Sequence, residues 1–247
     1  MNRYFSDQAF TTGATVTLGD TIAHHALKVL RQTTGDQFEL VNAAHRAFVA
    51  TITAVAPLTV SIGADVTRAV ELPLEVTVVC GVGKGDKAEW IAQKATELGA
   101  AHILFYNGQW GTSKWAPDRR GKKLARLQAI VLGAAEQSHR NLVPTVGFLA
   151  NLKTLAPAGA KLVAYEESAK AGEAAGLVAT LAGRPQALTV VFGPEGGISP
   201  AELAGLTANG FVPAGLGPRI LRTETAPLYL LSAVSALSEL QGVQLDE

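Results

Sequence analysis

The sequence predicts a small, mainly β module followed by an α/β domain built on a largely parallel sheet. Two patterns carry this expectation. Between Gln37 and Val66 apolar and polar residues alternate in short runs, whereas after the stretch RAVELP strongly apolar segments alternate with amphipathic, helix-length ones. With 247 residues, 48% of them hydrophobic, the chain can fill at least one full core.

The elements follow in order. TIAHHALKVLRQTTGD sets Ile22, Ala26, Val29 and Leu30 on one face of a short helix closed by Gly35. QFELVN, AFVATITAV and LTVSIGADV then read as three strands. In the second part LEVTVVC, AHILF, KLVAY and LTVVF read as buried strands, with FVPAG strand-like beyond them. Amphipathic helices are expected around residues 87–98, 121–139 and 199–209, and a final helix from about Thr225 to Leu240 carries an apolar face suited to a partner or to its own sheet. Residues 107–120 and 141–160 read as loops. Asp86 with Glu89 and Ser199 with Glu202 have capping-box spacing, Pro200 suits a first helical position, and Gly210 suits a helix end.

Charge excludes little. Twenty-one basic residues balance twenty-one acidic ones, so an RNA-binding surface must come from local clustering. One cluster exists: KWAPDRRGKKLAR, residues 114–126, has six basic residues against one acid, with Trp110 and Trp115 beside it. The two tryptophans are read either as stacking platforms for splayed bases or as partly buried residues at a solvated helix start.

Cys80 is the single cysteine, which excludes an internal disulfide, and neither it nor the five histidines has metal-ligand spacing. No metal is expected, and Cys80 reads as a small buried residue. The opening MNRYFSDQAF has no apolar signal core, and Leu228 to Leu240 is broken by Ser232, Ser235, Ser238 and Glu239, so no membrane segment and a cytoplasmic location are expected. GVGKGDK at 81–87 resembles a phosphate loop, but Asp86 stands where glycine should precede Lys87, and Ala88 replaces the magnesium-binding hydroxyl.

Two stretches stand out as a site. In VVFGPEGGIS, residues 190–199, a strand-like run stops at three glycines, a proline and Glu195 immediately before a capped helix. That is where open parallel sheets bind ligands, and glycine lets a ligand approach the main chain. In LGPRILRTETA, residues 216–226, Leu216, Ile220 and Leu221 suit a flat heteroaromatic ligand, and Arg219 and Arg222 suit a phosphate or a developing anion.

FGPEGGIS and LGPRILRTETA, with GKGDKAEWIAQKATELGA and AAEQSHR upstream and HHALKVLR before them, resemble the RsmE family of small-subunit ribosomal RNA methyltransferases, of the SPOUT class. The resemblance covers nearly the whole chain. It implies a PUA-like RNA-binding β-barrel at residues 1–70, and a SPOUT methyltransferase domain with a C-terminal trefoil knot at residues 73–247. The implied activity is methyl transfer from S-adenosylmethionine to N3 of a uridine in 16S rRNA, by a homodimer. The donor would be held by Phe192, Gly193, Pro194, Glu195, Gly196 and Gly197, by Leu216, Gly217, Ile220, Leu221, Arg222, Glu224, Thr225 and Ala226, and by Tyr165 and Glu166 as a third wall. Arg222 would stabilise charge on the uracil oxygens. Glu195 would accept a proton or anchor a loop amide or an arginine, and Arg140 would lie near a dimer-built site. The chain departs from the family pattern at Trp110, where arginine is usual, and at His139, where glycine is usual. Two other functions stay open: the same fold acting on another RNA position, and a non-catalytic RNA-binding or ribosome-assembly protein.

Overall fold

Alternation of inward and outward side chains builds the first sheet. The computed structural model describes residues 1–157, 159–170 and 175–240. The chain divides into two units, Met1–Glu71 with Ala135–Leu142, and Leu72–Ala134 with Val143–Glu247.

In the first unit β1 (Arg3–Phe5), β2 (Thr15–Thr17), β3 (Gln37–Val41), β4 (Ala47–Val55) and β5 (Leu58–Asp65) form one sheet in the order β1-β3-β4-β5-β2. Only β1 runs parallel to its neighbour. Phe38 and Leu40, Ala50 and Ile52, then Leu58, Val60 and Ile62 point inward at the two-residue period of a strand and share one core. Tyr4 stands edge-on to Phe38 at 5.0 Å. The edge strands β1 and β2, three residues each, were too short to show a period.

The helix before β3 departs from expectation. After one α turn, α1 (Asp20–Ala23), the backbone widens into a π-helix over His24–Val29, where the Leu30 amide donates to the His25 carbonyl. The widening takes Val29 off the buried face, leaving it 55% exposed while Ala26 is buried. The helix stops at Arg31, φ 57°, and Gly35, φ 96°, serves the turn into β3 instead.

Residues 135–142 join this unit through a buried polar cluster. Arg140, 3% exposed, gives its Nε to Glu71 Oε2 at 3.0 Å, while Glu71 Oε1 accepts the amides of Asn141 and Leu142. Arg3 donates to the carbonyls of His139 and Arg140 and pairs with Glu39. Each buried charge thus meets an opposite one, as burial requires. His139 takes a left-handed φ of 55°, which glycine adopts without cost, and its Nδ1 lies 3.0 Å from Glu39.

The second unit is a six-stranded parallel sheet. Its strands are β6 (Glu75–Gly81), β7 (His102–Tyr106), β8 (Thr145–Leu149), β9 (Ala160–Ala164), β10 (Ala187–Phe192) and β11 (Val212–Ala214), in the order β11-β9-β10-β6-β7-β8. Both faces are covered, so the strands are almost continuously apolar: Val78, Cys80, Val190 and Phe192 face one core, Val79 and Val191 the other. Helices α2 (Lys87–Glu97), α3 (Pro117–Gln137), α4 (Glu166–Lys170), α5 (Gly176–Ala182), α6 (Pro200–Ala208) and α7 (Thr225–Glu239) complete the fold.

Three readings change here. Thr145–Leu149 is an edge strand rather than loop, and a 3-10 turn follows at Leu152–Thr154; Gly147 and partial burial hid its pattern. Helix α3 begins at Pro117, inside the expected loop. Neither half of a capping box forms on α2: Asp86, at φ −93° and ψ 6° rather than extended, makes no side-chain cap, and Glu89 turns to Arg126, 2.6 Å from its Nε. The capping box at Ser199 and Glu202 does form, with Pro200 in the first turn and Gly210 at φ 84° beyond the helix.

One titration prediction follows from the first unit. Burial pushes the Glu136 carboxyl up to about 7. A raised carboxyl pKa favours the protonated folded state, so its contribution is full below the ordinary carboxylate range and is lost as pH rises through 7. Glu136→Gln should therefore leave Tm unchanged at pH 4 and stabilise the protein by about 1 kcal/mol at pH 8, a figure discounted for its partial exposure. Thermal melts at the two pH values measure it.

Candidate active site

The site lies where β10 ends. Phe192 is buried, and the chain then turns tightly, with the Gly197 amide donating to the Pro194 carbonyl at 2.8 Å and Gly197 at φ 80°. The other glycines serve the protein's own backbone. A Cβ on Gly193 would lie 2.8 Å from the carbonyl carbon of Gly197, and one on Gly196 2.4 Å from the Trp110 carbonyl oxygen. One on Gly81, at the end of β6, would lie 2.4 Å from the Pro194 nitrogen. Close packing of chain on chain, rather than ligand approach alone, requires glycine here.

Glu195 answers to Lys87. The lysine Nζ, from the first residue of α2, lies 3.0 Å from Glu195 Oε1 and 3.0 Å from Glu224 Oε2, at the N-cap of α7. The Lys84 amide also donates to Glu195 Oε1 at 3.1 Å. Burial acts to raise the Glu195 pKa, but hydrogen bonds from its own amide, from Lys84 and from Lys87, with the lysine charge, outweigh it and hold the carboxyl below its ordinary value. Glu224 behaves likewise, helped by the charge of Arg222. Burial opposes the lysine charge, but bonds to Glu224 and Glu195 raise its pKa above the ordinary value. Glu195 thus anchors a lysine and a loop amide.

The two stretches singled out in the sequence enclose a cavity of about 240 Å3. Phe192, Gly193, Glu195, Gly196 and Gly197 line it from one side, and Leu216, Gly217, Ile220, Leu221 and Ala226 from the other. Tyr165 and Glu166 stand on a third side, with the Tyr165 amide donating to the Ala214 carbonyl at 3.0 Å. Small-molecule clefts typically span about 300–1,000 Å3, so this one is narrow, and it mixes apolar walls with exposed main chain as such sites do.

Other expected residues lie outside the lining. Pro194 packs on Gly81 and Gly108, Glu224 is held by Lys87, and Thr225 begins α7. Arg222 has an exposed side chain, and its carbonyl accepts the amides of Thr225 and Ala226. Arg140 belongs to the first unit, with its guanidinium on Glu71. Trp115 is 5% exposed, stacked on Phe148 and close to Phe105, so it is a core residue and offers no face to a base. Conversely, the lining includes Trp110, Arg219 and Thr223. Lys87 is the main residue absent from the expected set: its stretch, GVGKGDK, resembles a phosphate loop and carries part of the family resemblance, but neither singles out the lysine on the first turn after it. Among the described residues no group of histidine, cysteine or carboxylate side chains could hold a metal ion.

Residues 70–235 match the model of the RNA methyltransferase domain, and residues 18–62 that of the RNA methyltransferase PUA domain. The ribosomal RNA small subunit methyltransferase E of Bacillus subtilis is 46% identical over 176 residues, 69% of each chain. That of Synechocystis is 33% identical over 229 residues, covering 92% of this chain and 74% of the relative. The crystal structure of a ribosomal RNA small subunit methyltransferase E from Neisseria gonorrhoeae bound to S-adenosyl methionine superimposes with a TM-score of 0.82 at 31% identity, over 96% of this chain and 98% of that one. With both family models matched, and the larger covering well over half of the sequence, the chain belongs to the RsmE family of RNA methyltransferases.

Proposed function

We propose that the protein methylates N3 of a uridine in the 16S rRNA of the small ribosomal subunit, with S-adenosylmethionine as donor. The observation that carries this reading is the cavity between residues 192–197 and 216–226, in a chain whose relatives are named for small-subunit rRNA methylation. The fit to the donor rests on shape and chemistry. Apolar Leu216 and Leu221 suit an adenine ring, and the open main chain at Gly217 leaves polar groups for its edge. The donor brings an already activated methyl group, so the chain needs only to align two reactants and favour loss of the uracil N3 proton. Arg222, between the lining residues Leu221 and Thr223, is the group we assign to the charge that develops on the uracil oxygens, with Arg219 as its neighbour on the rim. Glu195 and Lys87 fix the loop. No catalytic contact is proposed for Arg140, whose guanidinium is taken up by Glu71.

The rest of the proposal concerns assembly. Residues 1–70 would bind RNA and residues 73–247 carry out transfer, with a C-terminal trefoil knot formed where the two loops cross. Homodimerisation is supported by Tyr229, exposed on α7 while Leu230, Leu231 and Val234 pack inward. A cytoplasmic setting agrees with the ribosomal target, and no described helix is long and apolar enough to cross a membrane.

Three outcomes test this. Mass mapping of rRNA nucleosides from cells with and without the gene should show 3-methyluridine lost at one small-subunit position; an unchanged map overturns the assignment. Arg222→Ala should lower kcat by about a hundredfold or more while the donor Kd from calorimetry moves less than about twofold; lost donor affinity at unchanged kcat would reverse the division of roles. Lys87→Met leaves two partly exposed carboxylates without their cation, so it should weaken donor binding, read by calorimetry, and lower stability by roughly 1 kcal/mol, read by denaturant melts.

A further inference from the structure

We infer that Trp110 is the stacking platform that receives the acceptor base at the mouth of the donor cavity. The inference rests on the methyltransferase reading above and adds a residue to it.

Residues 107–115 form a loop closed at its base and open at its tip. At the base the Asn107 side chain accepts from the Trp115 amide at 2.8 Å and donates to the Trp115 carbonyl at 3.1 Å, and the Trp115 ring is buried. At the tip the Gly111 amide donates to the Gly108 carbonyl at 3.1 Å, making a tight turn with Trp110 inside it. Trp110 is 50% exposed yet lines the cavity. Two tryptophans five residues apart thus have opposite fates, one plugging the core and one presented to solvent.

The presentation is rigid. The Gln109 amide donates to Glu202 at 2.9 Å, and the Ser199 hydroxyl donates to the Gln109 side chain at 2.6 Å, so the capping box of α6 also holds the loop tip. The Trp110 carbonyl sits against Gly196, where no side chain could be accommodated. These contacts fix the backbone on either side of Trp110 while half of its side chain stays open, so a large aromatic surface is offered at the cavity mouth.

Chemistry identifies the partner. N3 of uracil lies on the pairing edge, so the reacting base must leave its helix, and splayed bases are held by stacking on aromatic rings. Trp110 lies on the rim, as does Ile220, 73% exposed on the opposite loop, and the acceptor must come from that open side. Four residues along the same loop, Lys114 lines a polar cleft of about 380 Å3 with Arg119 and Lys123, cations placed for the phosphates of an incoming strand.

The test uses the full-length protein with small ribosomal subunits from cells lacking the methyl mark. Trp110→Ala should lower kcat/KM for the subunits about ten- to hundredfold, the range of one base–aromatic stack, with the S-adenosylmethionine Kd unchanged. Trp110→Phe should recover most of the loss. Subunit binding should quench the tryptophan emission of the wild type, and Trp110→Phe should abolish most of that quenching. Loss of donor affinity in Trp110→Ala would place the ring on the donor instead, and an unchanged kcat/KM would show it idle; either overturns the inference while leaving the methyltransferase intact. Failure of the wild type to bind S-adenosylmethionine would overturn the underlying reading.

Discussion

One cation ties together three segments of the second unit. Lys87 gathers Glu195 from the loop after β10 and Glu224 from the start of α7, more than a hundred residues away in sequence. Both carboxylates are partly withdrawn from water, which makes their ionised forms costly without a counter-charge. Glu195 in turn accepts the Lys84 amide, so the segments after β6, after β10 and before α7 are tied at one point. Two of those segments, the one after β10 and the one before α7, wall the cavity. Electrostatics here works through geometry: it fixes where the main chain of two cavity walls runs.

Close packing completes what the ion cluster begins. The loop after β10 lies so near β6 and the 107–115 loop that Gly81 and Gly196 have no room for a Cβ, and it folds back on itself so tightly that Gly193 has none either. The glycines admit the chain's own backbone first and a ligand second. A cavity walled by main chain needs few side chains to recognise its ligand, and its specificity is set by where the strands end.

Much of this was legible in the sequence because it followed local rules. The buried strands of the parallel sheet announced themselves as apolar runs, and the Ser199 capping box formed as its spacing required. Where reading failed, a distant partner decided. Glu89 abandoned its cap for Arg126, and Trp115 sank between Phe105 and Phe148 because β7 and β8 present those rings together. Val29 turned outward because the backbone widened by one residue per turn, an event with no signature in apolar spacing. The two stretches that line the cavity stand out by pattern and by resemblance, whereas the role of Lys87, inside another motif, exists only once three remote segments meet.

Cys80 sits inside the sheet at the end of β6, where burial raises its thiol pKa far above the ordinary value. Such a thiol stays protonated and shielded, so it is inert toward alkylating reagents in the folded state. A cysteine introduced at any exposed position would be the sole reactive handle on the molecule, and spectroscopic labels could follow loop movements without first removing the native residue.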